Sequence, residues 1–157
     1  TGTFPLPEPQ LDRFLVSIPM ALPHEETQLD ILRLHGGRDA QEEPAVEPSL
    51  DLSLEDLQSL QQKAAALPVS ETLQRYLLAL CQTARTLVGQ DHAVSVRATL
   101  ALQAAARAYA LLDGQSAVHP DHVQAIFPHV LRHRLLTDDA PDPDPVLKGA
   151  LDQTPVP

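Results

Sequence analysis

Apolar residues recur at helical spacing through the middle of this chain. Leu54, Leu57, Leu60, Ala64 and Leu67 form one stripe. Ser53 opens it with Asp56 three residues on, the spacing of a capping box, and Pro68 closes it. Ser70 caps a longer helix whose single face carries Leu73, Tyr76, Leu77, Leu80, Cys81, Ala84, Leu87 and Val88. Ser95 starts a third helix that runs to Asp113 and stops at Gly114, with an expected buried face of Leu100, Ala101, Ala104, Ala105, Ala108, Leu111 and Leu112. A last helix begins with Pro120 in its first turn and turns Val123, Ile126 and Phe127 inward. Pro128 is expected to interrupt it before a further turn with Val130 and Leu131.

The flanks read differently. Residues 1–13 are irregular and punctuated by Pro5, Pro7 and Pro9. Phe14, Val16 and Ile18 alternate with Leu15 and Ser17, which predicts one short strand ending at Pro19. A lone strand is unstable, so its sheet would lie in other chain or in a partner. A helix follows from about His24 to His35, with Glu25 and Glu26 favoured by the dipole of its first turn and Gly36-Gly37 as its stop. Residues 38–49 are acidic and carry Pro44 and Pro48, as a solvent loop would. From Thr137 the chain is dense in Pro and Asp and is expected to be a disordered tail. Four regions follow: 1–20, 21–52, 53–136 and 137–157.

Composition narrows the class. In 157 residues Ala and Leu dominate and only 3% are aromatic, which favours a helical bundle over a sandwich. No run of 18 apolar residues exists, so no membrane span is expected. The chain opens at Thr1 without a basic-then-apolar leader, as if it begins inside a longer protein. One cysteine, Cys81, forbids an intramolecular disulfide and fits a reducing cytoplasm; its position on an apolar face suits a small core residue. Net charge is −10 with eleven Lys and Arg, too few for a nucleic-acid face and enough acid for simple solubility.

Two arginines carry candidate chemistry. Arg97 falls at the N-terminal end of the Ser95 helix, where a cation opposes the dipole by about 0.3–1 kcal/mol. It precedes Leu100 and Ala101 by three and four residues, so it heads the expected buried stripe. A cation beside free helix N–H groups makes an anion site. On residue chemistry alone, an arginine that snorkels or pairs with a nearby acid such as Asp91 is the favoured reading. Arg13 directly precedes the expected strand; it could bridge a phosphate through its planar fork of donors, or pair locally with Asp12 or Glu8. His119/His122 and His129/His133 are spaced three and four apart, but no HExxH or CxxC accompanies them, which fits scattered surface histidines better than zinc. Neither Lys63 nor Lys148 follows a glycine, so a phosphate-binding loop of the G-x-x-x-x-G-K-[ST] type is absent, as are an apolar strand ending in Asp-Glu and a G-x-S-x-G. The chain alone is expected neither to hold ATP well nor to hydrolyse it.

Gly2-Thr3-Phe4-Pro5-Leu6-Pro7-Glu8-Pro9-Gln10-Leu11-Asp12-Arg13-Phe14 resembles the G-T-[YF]-P-L-P-E-x-Q-L-D-R-F stretch of MoxR-type AAA+ ATPases. Ser95-Val96-Arg97-Ala98 resembles their S-P-R-A, Val118-His119-Pro120-Asp121-His122-Val123 their V-T-P-D-D-V, and Val130-Leu131-Arg132-His133-Arg134-Leu135 their V-L-R-H-R-[LI], in order over residues 2–135. Val96 stands where the family has proline, His122 where it has an acid, and Gln115 where it usually has arginine after glycine. The resemblance implies a mostly α fold: a helical AAA+ lid preceded by the last strand and turn of an α/β P-loop core. It implies a parent that hydrolyses ATP with Mg²⁺ as a chaperone-like remodeller, in a ring of six identical subunits, with von Willebrand A-domain proteins as partners. Arg13 would match the arginine finger that reaches the γ-phosphate of the neighbouring subunit. Arg97 would match sensor 2, touching nucleotide from its own lid.

Two other classes compete. A helical adaptor that binds no nucleotide would explain the stripes but not the D-R-F stretch. A metal-binding protein would rest on the histidines alone.

Overall fold

The computed structural model describes residues 7–35, 52–89, 94–136 and 142–157. They form seven helices: α1 (Glu8–Leu11), α2 (Glu25–His35), α3 (Leu54–Ala66), α4 (Glu71–Val88), α5 (Val96–Leu112), α6 (Pro120–Leu135) and α7 (Asp144–Gln153). No strand occurs among the described residues. The Gly36-Gly37 stop, the acidic loop and Asp91 lie outside them. The chain forms two compact units, residues 19–54 and the remainder. The smaller contains α2, which buries none of its residues.

The larger unit is built on α4 to α7. α4 starts where Ser70 accepts the N–H of Leu73 and ends at Gly89, whose φ of +72° is reached by glycine without a Cβ penalty. Its buried face is Leu73, Tyr76, Leu77, Leu80, Cys81 and Ala84, six of the eight positions that the periodicity predicts; Leu87 is exposed and Val88 half-buried. Tyr76 keeps its phenol oxygen satisfied by the side-chain amide of Gln124 at 3.0 Å. α5 packs along α6, and α7 lies against α4.

Four expectations need correction. First, the strand over Phe14–Ile18 does not form. Its backbone bonds to α6 instead: Ser17 donates its N–H to the carbonyl of His129 at 2.8 Å, and Phe14 O accepts from α6 side chains. Second, α5 buries Ala98, Leu102, Ala105, Ala106 and Ala110, whereas Leu100 and Leu112 are exposed at 63% and 81%. Alanine and leucine occur all round this helix, so spacing alone does not single out a face. Third, α6 passes through Pro128 without a break. Phe127, Val130 and Leu131 are fully buried on either side, and their packing offsets the hydrogen bond that proline cannot donate. Fourth, the region expected to be a disordered tail forms α7, with Leu147, Ala150 and Thr154 buried. Thr154 donates its hydroxyl to that of Thr83 at 3.1 Å. A Cβ on Gly149 would stand 3.1 Å from Leu87 Cδ1, so the missing side chain allows the two helices to close.

Candidate functional site

The site grows from the turn after α1 and the start of α5. Ser95 is the α5 N-cap, and its hydroxyl does two things. It accepts the N–H of Ala98 at 3.1 Å and donates to the Asp12 carboxylate, with Oδ2 at 3.0 Å and Oδ1 at 3.1 Å. Asp12 therefore sits at the positive end of the α5 dipole, where an anion is favoured. It offsets the cation that Arg97 adds to the same turn.

The other partner of Asp12 is Arg134, whose Nε donates to Oδ1 at 3.0 Å. Arg134 is buried, its side chain 2% exposed. Its remaining donors are spent on backbone: Asp12 O at 3.1 Å, Phe14 O at 2.6 Å, Leu15 O at 3.4 Å, and Val130 O one turn back on α6. A buried guanidinium needs this degree of pairing to be tolerated.

Arg13 and Arg97 are both exposed and together line an open hollow of about 420 Å³. Among the described residues, no carboxylate forms an ion pair with either. Asp12, one of the two local partners that the sequence offers Arg13, is engaged by Ser95 and Arg134 instead. Leu100 being exposed, Arg97 heads a solvent-facing edge of α5 rather than its buried stripe. Two exposed guanidiniums lining one hollow suit a polyanion such as a chain of phosphates.

Of the four histidines picked out by spacing, His119 is exposed as expected and His129 half-buried, but the other two are not at the surface. His122 and His133 are buried. His122 Nδ1 accepts the N–H of His119 at 3.0 Å, closing a capping box at the start of α6 in the role that Glu or Gln usually takes. Its Nε2 faces Asp113 Oδ2 at 3.3 Å. His133 donates Nε2–H to Phe14 O at 3.1 Å. Burial and the neighbouring Arg134 hold its pKa below the usual imidazole value. Among the described residues no three of His, Cys, Asp or Glu gather as metal ligands would. Cys81 is buried, and burial pushes its thiol pKa up, away from reactivity.

Residue-by-residue reading missed Asp12 and Arg134 as the frame of the site. Both stand in the two stretches that carry the strongest family resemblance, and that was their only signal.

Residues 89–154, from the end of α4 through α7, match the AAA lid domain. The chaperone MoxR1 of Mycobacterium tuberculosis is 36% identical over 149 residues, covering 88% of this chain and 38% of that protein. The chain belongs to the MoxR-type AAA+ family. The uncharacterized protein YeaC of Bacillus subtilis is also 36% identical, over 135 residues, covering 86% of this chain and 41% of YeaC. The chain thus spans about two fifths of the length of these two relatives. The crystal structure of a candidate ATPase from Cytophaga hutchinsonii superposes on all of this chain and 51% of its own, with a TM-score of 0.76 at 23% identity, and so shares the fold. The lid match reaches Thr154, so the packed α7 is part of the lid.

Proposed function

We propose that this chain is the lid-bearing part of an ATP-hydrolysing MoxR-type machine and that Arg13 and Arg97 contribute to hydrolysis. Arg13 acts as the arginine finger, stabilising charge that develops on the γ-phosphoryl group bound by a neighbouring subunit. Arg97 acts as the sensor-2 arginine on the phosphates of the same nucleotide. The observation that carries this reading is the shared hollow: two exposed guanidiniums with no described carboxylate to neutralise either.

The hollow also refines the reading. If one chain's two arginines face the same space, they meet the same phosphate chain. Arg97 then works across the subunit boundary with Arg13, and not on nucleotide bound by its own subunit as the family resemblance implies. The described residues suit phosphate but supply no ligand cluster for Mg²⁺; the metal's ligands and the phosphate-binding loop belong to the rest of the ATPase. ATP and Mg²⁺ as cofactors, a six-membered ring, chaperone-like remodelling with von Willebrand A-domain partners and a cytoplasmic setting complete the proposal.

The test is subunit mixing in the complete ATPase. Arg13→Ala and Arg97→Ala should each lower kcat for ATP, Arg13→Ala by about 10³-fold or more. Mixing Arg97→Ala subunits with subunits lacking a working phosphate-binding loop should restore part of the turnover, because intact arginines then face intact nucleotide sites. Unchanged turnover in both alanine variants would sink the assignment; no restoration on mixing would return Arg97 to its own subunit's nucleotide. The adaptor reading keeps one support, the exposed Leu54, Leu57 and Leu60 of α3. It predicts that both alanine variants are silent.

A further inference from the structure

Arg13 and Arg97 are 84 residues apart in sequence and stand on different elements. Neither is held by an ion pair of its own among the described residues. Long exposed side chains on separately moving elements would meet a phosphate in many geometries, and misplacement by about 1 Å can cost about a hundredfold in rate. Something must hold the two backbones in one frame.

The frame is visible around Arg134. Its guanidinium holds the carbonyl of Asp12 and the carbonyl of Phe14, the residues on either side of Arg13. Its Nε holds the Asp12 carboxylate. That carboxylate holds the hydroxyl of Ser95, and the hydroxyl caps the helix whose second residue is Arg97. His133, the adjacent residue on α6, adds a second donor to Phe14 O. One buried fork thus ties the Arg13 turn to α6, and through Asp12 and Ser95 to the first turn of α5. The planar geometry matters: Lys has one nitrogen and could not hold a carboxylate and two carbonyls at these angles.

We propose that Arg134 is a positioning residue for ATP hydrolysis, acting with Asp12 and Ser95 to hold Arg13 and Arg97 as a single preorganised cationic pair. This rests on the proposed function of those two arginines. Arg134 touches no nucleotide; its effect reaches the phosphates through Arg13 and Arg97 alone.

The experiment uses the complete ATPase and four variants: Arg134→Lys, Asp12→Asn, Arg13→Ala, and Arg134→Lys combined with Arg13→Ala. Each is first checked for folding by circular dichroism and thermal melting, then assayed at a temperature well below its midpoint. Arg134→Lys should lower kcat by about tenfold to a hundredfold. KM for ATP should change by no more than about twofold, since an orientation lost only in the transition state leaves ground-state binding in place. Asp12→Asn, which keeps the shape and removes the charge, should act in the same direction, and it carries the test if Arg134→Lys does not fold. In the Arg13→Ala background, Arg134→Lys should cost at most a small further factor, because the group it chiefly positions is gone.

The outcomes separate the two levels. If Arg13→Ala collapses turnover while folded Arg134→Lys and Asp12→Asn remain at full kcat, positioning is wrong and the site assignment stands. If Arg134→Lys lowers kcat by the same factor with and without Arg13, its role is general stability and the proposal is overturned. If Arg13→Ala itself is silent, the function proposed for the site falls, and this inference with it.

Discussion

Leu147 and Leu112 test the architecture as a pair. Sequence pattern assigns Leu112 to a buried stripe and Leu147 to a disordered tail; the structure reverses both, with Leu112 81% exposed and Leu147 3% exposed. Truncating a well-packed leucine to alanine costs about 2–5 kcal/mol, set by lost transfer energy and by how far the cavity collapses. α7 is a ten-residue helix at one side of the bundle, too short to persist alone, so its order depends on docking against α4 and α6. The surroundings of Leu147 can therefore relax more than those of a central residue, and about 3 kcal/mol is the expected loss for Leu147→Ala. For a chain of this length each kcal/mol moves the melting midpoint by about 2–4 °C, so the shift is about 6–12 °C. Leu112→Ala should stay within about 0.5 kcal/mol. Thermal melting followed by helical circular dichroism reads both. A Leu147→Ala shift of less than about 2 °C, or a larger shift for Leu112→Ala, would refute the packing described for α5 and α7.

Acid should loosen the clamp on Phe14. Burial and Arg134 hold the His133 pKa in the fold below the usual value of 6.5, near which the unfolded chain binds a proton. Below that value the unfolded state holds more protons, so stability should be full above about pH 6.5 and fall as pH drops towards the folded pKa. Asp12 and Arg134 face the same imidazole. Denaturant midpoints of the parent and of His133→Gln, compared between pH 7.5 and 5.5, should show a smaller loss in the variant; equal losses would refute this. Pro128→Ala should stabilise by about 1–3 kcal/mol, since it returns an N–H to the interior of α6 against a modest gain in unfolded-chain freedom. A lower melting midpoint for Pro128→Ala would mean that the ring's own contacts outweigh the missing hydrogen bond.

The elements that depend on near neighbours were legible from the chain alone. α4 has a polar cap at Ser70 and a stripe with polar residues opposite, so its start and most of its buried face follow from spacing. The proline start of α6 is local in the same sense. Arg13 and Arg97 are legible only through the family resemblance of Asp12-Arg13-Phe14 and Ser95-Val96-Arg97-Ala98, since residue chemistry alone favours local pairing for each. What spacing could not decide was anything set by another element of the chain. Which side of alanine-rich α5 is buried depends on where α6 lies. α7 orders because α4 and α6 offer it a surface, although its own composition argues against order. Asp12 and Arg134, 122 residues apart, are ordinary charges until the fold brings them within 3.0 Å. Short-range rules act on a helix's own turns, whereas burial and pairing of charge are properties of the surface that another element brings to it.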